Sequence, residues 1–111
     1  MANKNKIRGD ILEYEVRDAF RERKYDAERA RGSDGRSLGL NKEVDVVVRG
    51  FFGKNGYAYD MTIQCKRRKG LAEYLTSDHA DIVCVRKDGR GAERLYVIPE
   101  SVLFKMLDGS V

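Results

Sequence analysis

Glu43-Val44-Asp45-Val46-Val47-Val48-Arg49 is followed by the glycine-rich stretch Gly50-Phe51-Phe52-Gly53-Lys54-Asn55-Gly56 and then by Tyr57-Ala58-Tyr59-Asp60-Met61-Thr62-Ile63-Gln64-Cys65-Lys66. The β-branched run from Glu43 to Arg49 predicts a strand, and Tyr57–Lys66 predicts its antiparallel partner. Asn55-Gly56 is the strongest hairpin-turn signal between them. In the second strand Met61, Ile63 and Cys65 alternate with Asp60, Thr62, Gln64 and Lys66, so Gln64 and Lys66 share a face. Asp45 interrupts the valines. An ionised carboxylate there is costly unless it is paired or holds a cation. Pairing the two strands can set Asp45 beside the Gln64/Lys66 face.

Upstream, Ile7 to Arg23 has helical period, with Leu12, Val16, Ala19 and Phe20 on one stripe. Glu13 and Glu15 flank that stripe, and Val16 and Phe20, three and seven residues on, set Glu13 beside the buried face. Lys24–Arg29 reads as a short strand or a connector, and the glycine-punctuated segment Arg31–Lys42 as a loop. Downstream, Gly70–Asp78 reads as a short helix with Leu71, Tyr74 and Leu75 on one side. Ile82–Arg86 and Arg94–Ile98 are strands joined by Lys87-Asp88-Gly89-Arg90-Gly91, and Glu100–Leu107 is a terminal helix behind Pro99. This order predicts an α/β or α+β fold, a mixed central sheet flanked by helices.

The 111 residues fit a single domain spanning 1–111. With 41% hydrophobic residues the chain can build a core, which excludes wholesale disorder. No apolar run approaches the roughly 18 residues of a membrane span, and the start lacks a secretory signal. A soluble, cytoplasmic protein without a membrane partner is expected. Cys65 and Cys84 lie in apolar strand-like runs and are expected as buried, reduced thiols; with one histidine they do not make a zinc site. Lys and Arg outnumber Asp and Glu, 22 to 18, giving a net charge of +4. The excess is concentrated in Arg29, Arg31, Arg36 and Lys42 and in Lys66-Arg67-Arg68-Lys69, a pattern shared by phosphate-binding surfaces and ordinary solvated faces.

A carboxylate, an amide oxygen and an ammonium in one patch suit metal-assisted phosphodiester hydrolysis. Hard oxygen donors hold Mg²⁺, with Mn²⁺ as a substitute, and the ion keeps several waters. The metal polarises the phosphoryl oxygen and acidifies a bound water, while the lysine orients that water and offsets charge on the phosphorane. An acid from the first helix would complete such a site.

Asp45 followed by Gln64-Cys65-Lys66 resembles the D…(E/Q)xK signature of the PD-(D/E)XK nuclease superfamily. Arg8-Gly9, Glu13 and Arg29-Ala30-Arg31-Gly32-Ser33 ahead of the Asp strand resemble the archaeal-type Holliday junction resolvases of that superfamily, from Arg8 to about Lys69. The tail, Leu71–Val111, is more loosely similar to small phage-encoded nucleases of the group. The resemblance implies a restriction-endonuclease-like core and a metal site of Glu13, Asp45 and Gln64, with Lys66 as the catalytic lysine. It implies that Arg29 touches the scissile-strand phosphate and that Ser33 sits in a loop near the substrate. Arg8, Arg31, Arg36, Lys42, Arg67, Arg68 and Lys69 complete the expected DNA-binding surface. Three positions depart from the pattern. Gln64 replaces the commoner Glu, Tyr14 stands where those resolvases have Arg, and the Asp34–Glu43 loop is long.

The expected activity is a Mg²⁺-dependent endonuclease that introduces paired nicks in four-way DNA junctions. Symmetric cutting implies a twofold homodimer, placed in the cytoplasm (the host's, if phage-encoded). A restriction-like or repair nuclease acting on linear or flapped DNA and a non-catalytic DNA-binding module remain open, as does a basic protein-interaction domain. Each candidate also has an ordinary structural role available: Glu13 as a solvent-facing helix acid, Asp45 as an ion-pair partner, Lys66 as one residue of a charge block. His79, at a helix end, is read as a loop or capping residue.

Overall fold

The computed structural model describes the backbone of residues 4–54 and 57–108 and the side chains of residues 10–32, 34–50 and 60–108. In chain order these form α1 (Lys4–Glu22), β1 (Asp26–Arg29), β2 (Val46–Lys54), β3 (Tyr57–Ile63), β4 (Val83–Arg86), β5 (Arg94–Val97) and α2 (Glu100–Leu107). Short 3₁₀ turns occur at Arg31–Ser33, Gly35–Leu38 and Glu73–Leu75. This is a small mixed α+β protein. Its described strands form two antiparallel sheets, β1-β2-β3 and β4-β5, where the sequence predicted one mixed sheet. The chain divides into two compact units, Met1–Arg67 and Arg68–Val111.

In the first unit α1 ends where the Lys24 backbone turns left-handed, at φ 69°. Tyr25 N–H donates to the Phe20 carbonyl and Lys24 N–H to that of Arg21, satisfying the last helical carbonyls. Arg21 Nε then donates to the Ala27 carbonyl at 2.8 Å and ties the helix end to β1. Antiparallel register sets Ala27 opposite Val48 and Arg29 opposite Val46, while Val46 faces Ile63 and Val48 faces Met61 across β3. Residues opposite one another share a face, so one face of the sheet carries Ala27, Arg29, Val46, Val48, Met61 and Ile63. α1 packs against β1 and β2. Val46, Val47 and Val48 are fully buried, and each such side chain is worth about 1.5–3 kcal/mol. On the other face Arg49 bridges the strands, with Glu28 of β1 at 3.3 Å and Asp60 of β3 at 3.2 Å.

Two predicted boundaries move. β2 runs on through the glycines to Lys54, because Gly50, at φ 67°, absorbs an extra residue as a bulge between the Val48–Met61 and Phe51–Tyr59 pairs. Asn55-Gly56, the predicted turn, lies outside the described residues. β3 stops at Ile63, three residues short of Lys66. The backbone amide of Cys65 is taken by the Asp45 carboxylate at 2.7 Å, so a side chain replaces the next rung of the ladder.

In the second unit β4 and β5 fall within the predicted strands and pair antiparallel from Val83–Val97 to Arg86–Arg94. α2 follows Pro99 and buries Phe104. The helix predicted over Gly70–Asp78 is a single 3₁₀ turn at Glu73–Leu75. Leu71 is 67% and Tyr74 71% exposed, so no buried stripe sustains a longer helix. His79 lies in a loop, where its N–H and that of Ala80 both donate to Ser77 Oγ. Both cysteines are free; Cys65 is half-buried but Cys84 is exposed, against the expectation of two buried thiols. No described helix is long and apolar enough to cross a membrane.

Candidate active site

The site is built where the start of β2 meets the end of β3. Asp45 precedes β2, and its backbone is fixed on both sides: its N–H donates to the Ile63 carbonyl at 2.9 Å, and its carbonyl accepts from Ala30 N–H at 2.8 Å. Its carboxylate is buried, at 8% exposure. Oδ2 accepts the Cys65 amide, and Oδ1 accepts no hydrogen bond among the described residues. Cys65 is the middle residue of Gln64-Cys65-Lys66, so this contact clamps the segment against Asp45 and starts both flanking side chains one residue from the carboxylate.

Glu13, on α1, is 2% exposed. Its placement beside the apolar stripe is therefore as predicted, and it is not a solvent-facing helix acid. The Cys65 thiol meets these acids in its electrostatics rather than in any direct contact with Glu13. Burial first, then the charges of Asp45 and Glu13, push it up to about 11. Both carboxylates therefore act on one thiol, which makes the space around it electronegative.

Arg29 supplies the local countercharge. Its Nη2 donates to Asp10 Oδ1 at 2.8 Å and to Glu13 Oε2 at 3.2 Å. Its guanidinium lies 4.5 Å from the centre of the Tyr14 ring, and that of Arg17 lies 4.7 Å from the same ring. Burial draws the Arg29 pKa down, but Glu13, Tyr14 and Asp10 outweigh it and hold the guanidinium above its ordinary value. The residue expected to reach for phosphate is thus committed to acids at the site's edge. The sequence reading noted Tyr14 only as a departure and did not single out Asp10. The signal was present: Asp10, Glu13, Tyr14 and Arg17 fall at i, i+3, i+4 and i+7, one face of α1.

The remaining candidates are spread over the surface. Gln64 and Lys66 are exposed. Gln64 lines a cavity of about 280 Å³ with Asn41, Glu43, Val44, Thr62 and Ile63, so the end of the long loop forms a wall beside it. Gly35 holds that loop closed: it is buried, and a Cβ there would land on the Asn41 carbonyl oxygen and 2.8 Å from Val44 Cβ. Arg31 and Lys42 are exposed. Arg36 is a two-point partner of Asp34, with Nε–Oδ1 at 3.0 Å and Nη2–Oδ2 at 2.6 Å, and these bonds hold the Asp34 carboxyl down to about 2. Arg67 is exposed at the end of the first unit; Arg68 and Lys69 are exposed in the second. The side chains of Arg8 and Ser33 lie outside the described residues.

The residues with hard oxygen donors are Glu13, Asp45 and Gln64, the first two buried and the third exposed. Glu13 and Asp45 are buried carboxylates whose field falls on the same thiol, and Asp45 Oδ1 has no competing hydrogen bond among the described residues. Among those residues no three His, Cys, Asp or Glu side chains form a ready metal cluster. Gln64 lines a separate depression with Glu43 and Thr62, and no contact joins its amide to Glu13 or Asp45 among the described residues. Comparisons with models of known families, with characterised proteins and with solved structures find no match.

Proposed function

We propose that this protein is a metal-dependent DNA endonuclease built on a restriction-endonuclease-like core, with α1, β1, β2 and β3 as its catalytic half. The observation that carries the reading is the Asp45 clamp. One buried carboxylate holds the amide at the centre of Gln64-Cys65-Lys66, and a second acid, Glu13, is buried on α1 of the same unit. Glu13, Asp45 and Gln64 would hold Mg²⁺ or Mn²⁺, which would supply Lewis acidity toward a phosphoryl oxygen and an acidified water. Lys66 orients the attacking water and balances charge on the phosphorane. Arg31, Lys42, Arg67, Arg68 and Lys69 are exposed and engage DNA phosphates, with Arg8 and Ser33 assigned by resemblance, and the affinity falls steeply with salt. Arg36 contributes where phosphate displaces Asp34. Arg29 meets the scissile-strand phosphate from beside Glu13.

The substrate is a four-way junction, cut by paired nicks on a twofold homodimer, in the cytoplasm. The test is incubation of labelled four-way junction and linear duplex of equal length with Mg²⁺ or Mn²⁺. Symmetric nicking of the junction alone supports the reading; cutting of linear DNA moves the protein to a restriction-like or repair nuclease. A second reading, a DNA-binding module without catalysis, is favoured by the neutral Gln64 and by the Arg29–Glu13 contact. Junction binding with no cleavage in either metal would establish it and refute the nuclease.

A further inference from the structure

On the nuclease reading, Arg29 and a cation would compete for one partner, Glu13. Arg29 Nη2 splits its hydrogen bonds unevenly, 2.8 Å to Asp10 and 3.2 Å to Glu13, while the Tyr14 ring lies 4.5 Å from the guanidinium. The side chain of Arg29 is only 13% exposed, and that of Glu13 3%. Charge-assisted bonds at such a site are strong, and a buried acid stripped of its countercharge is penalised heavily. A cation that takes Glu13 must therefore win it from Arg29. The exchange is easy only if the guanidinium has somewhere else to be held. Asp10 and Tyr14 provide that place without moving it. They lie three residues before and one after Glu13 on α1, and Asp10 has the shorter contact.

Resting on the nuclease reading, we infer that Asp10 is a positioning residue that retains Arg29 beside the site while Glu13 is released to the metal. Without it the only acid that Arg29 still bonds among the described residues is Glu13. That contact tightens, and the cation binds more weakly. Tyr14 has the same role through its ring.

The experiment measures Mn²⁺ binding by calorimetry on the full chain, free of DNA, for the wild type, Asp10→Asn, Arg29→Gln and the double variant. Circular dichroism and the melting temperature of each metal-free protein are recorded alongside. The expected result is that Asp10→Asn weakens Mn²⁺ binding roughly tenfold, the scale of one charge-assisted hydrogen bond moved between partners. Arg29→Gln binds Mn²⁺ at least as tightly as the wild type, and adding Asp10→Asn to it changes nothing more. Tyr14→Leu, at a half-exposed ring, gives the same direction of change and serves where Asp10→Asn fails to fold. Unchanged Mn²⁺ affinity in both Asp10→Asn and Tyr14→Leu overturns the inference. So does an equal loss with and without Arg29, because Asp10 would then act on the ion directly. A wild-type protein that binds Mn²⁺ and cuts DNA beside an unaffected Asp10→Asn refutes only this inference; a wild type that binds no Mn²⁺ refutes the nuclease reading as well.

Discussion

Asp45→Asn in a Cys84→Ser background tests the convergence of carboxylates on Cys65 without assuming any activity. The background removes the exposed thiol and leaves Cys65 as the reporter. Asn keeps a side-chain oxygen for the Cys65 amide, so the clamp survives while the charge is lost. The Cys65 thiol stands at about 11 because of burial first, then Asp45, then Glu13. Since burial leads, the charge of Asp45 accounts for a minority of the rise, and its loss lowers the thiol by roughly half to one pH unit. At pH 8 that raises the thiolate fraction about three- to tenfold, but a less basic thiolate is also less nucleophilic, so the net gain in rate is about two- to fourfold. The assay is the rate of reaction with an aromatic disulfide reagent between pH 7 and 9.5, followed spectroscopically. Glu13→Gln accelerates the reaction less. An unchanged or slower rate in Asp45→Asn would place the carboxylate away from the thiol and remove the geometric basis of the site. The same raised pKa sets a sign for stability. The fold favours the neutral thiol, so its contribution is whole below the ordinary thiol range and is lost as the pH climbs toward 11.

Other expectations concern activity, packing and the loop. Asp45→Asn and Lys66→Ala abolish junction cleavage but leave binding in a gel-shift assay nearly intact, because the basic surface is untouched; wild-type cutting by either variant removes that residue from the site. Gly35→Ala destabilises the protein by about 1–3 kcal/mol in urea unfolding, since the methyl group overlaps the Asn41 carbonyl and crowds Val44. Full stability of this variant would mean that the loop is not closed over Gly35. Asp34, held down to about 2 by Arg36, keeps the Gly35–Leu38 turn capped at neutral pH and releases it only as pH falls below the ordinary carboxylate range toward 2. Hydrogen exchange at the Arg36 amide, which Asp34 Oδ1 accepts at 3.0 Å, should speed up over that window relative to its intrinsic rate. Loss of protection already near pH 4 would contradict the pairing.

Much of the secondary structure was legible because each element carries its own period. α1, β4, β5 and α2 lie close to where apolar spacing put them, and Glu13 proved buried because Val16 and Phe20 lie on its side of the helix. Misreadings arose where a local signal had two outcomes. Glycines at 50 and 53 read as a turn, yet a bulge lets a strand pass through such a position. Gln64 and Lys66 read as strand residues by alternation, yet the Asp45 side chain captured the amide between them and ended the ladder. Leu71, Tyr74 and Leu75 had helical spacing without a surface to bury it.

By itself the sequence determined that an acid interrupts a run of valines, that a Gln-Cys-Lys segment ends the next strand-like stretch, and that a helix with an acid at its apolar edge comes before them. Periodicity reports which side of an element is buried, and burial makes an unexplained carboxylate conspicuous. Only the tertiary structure decided what those acids touch. Arg29 falls on Asp10, Glu13 and Tyr14 because β1 passes alongside α1, and the Asp45 carboxylate reaches the Cys65 amide because Asp45 pairs with Ile63. Such partners lie 15 to 20 residues apart in the chain, and their meeting depends on packing and register rather than on any local pattern.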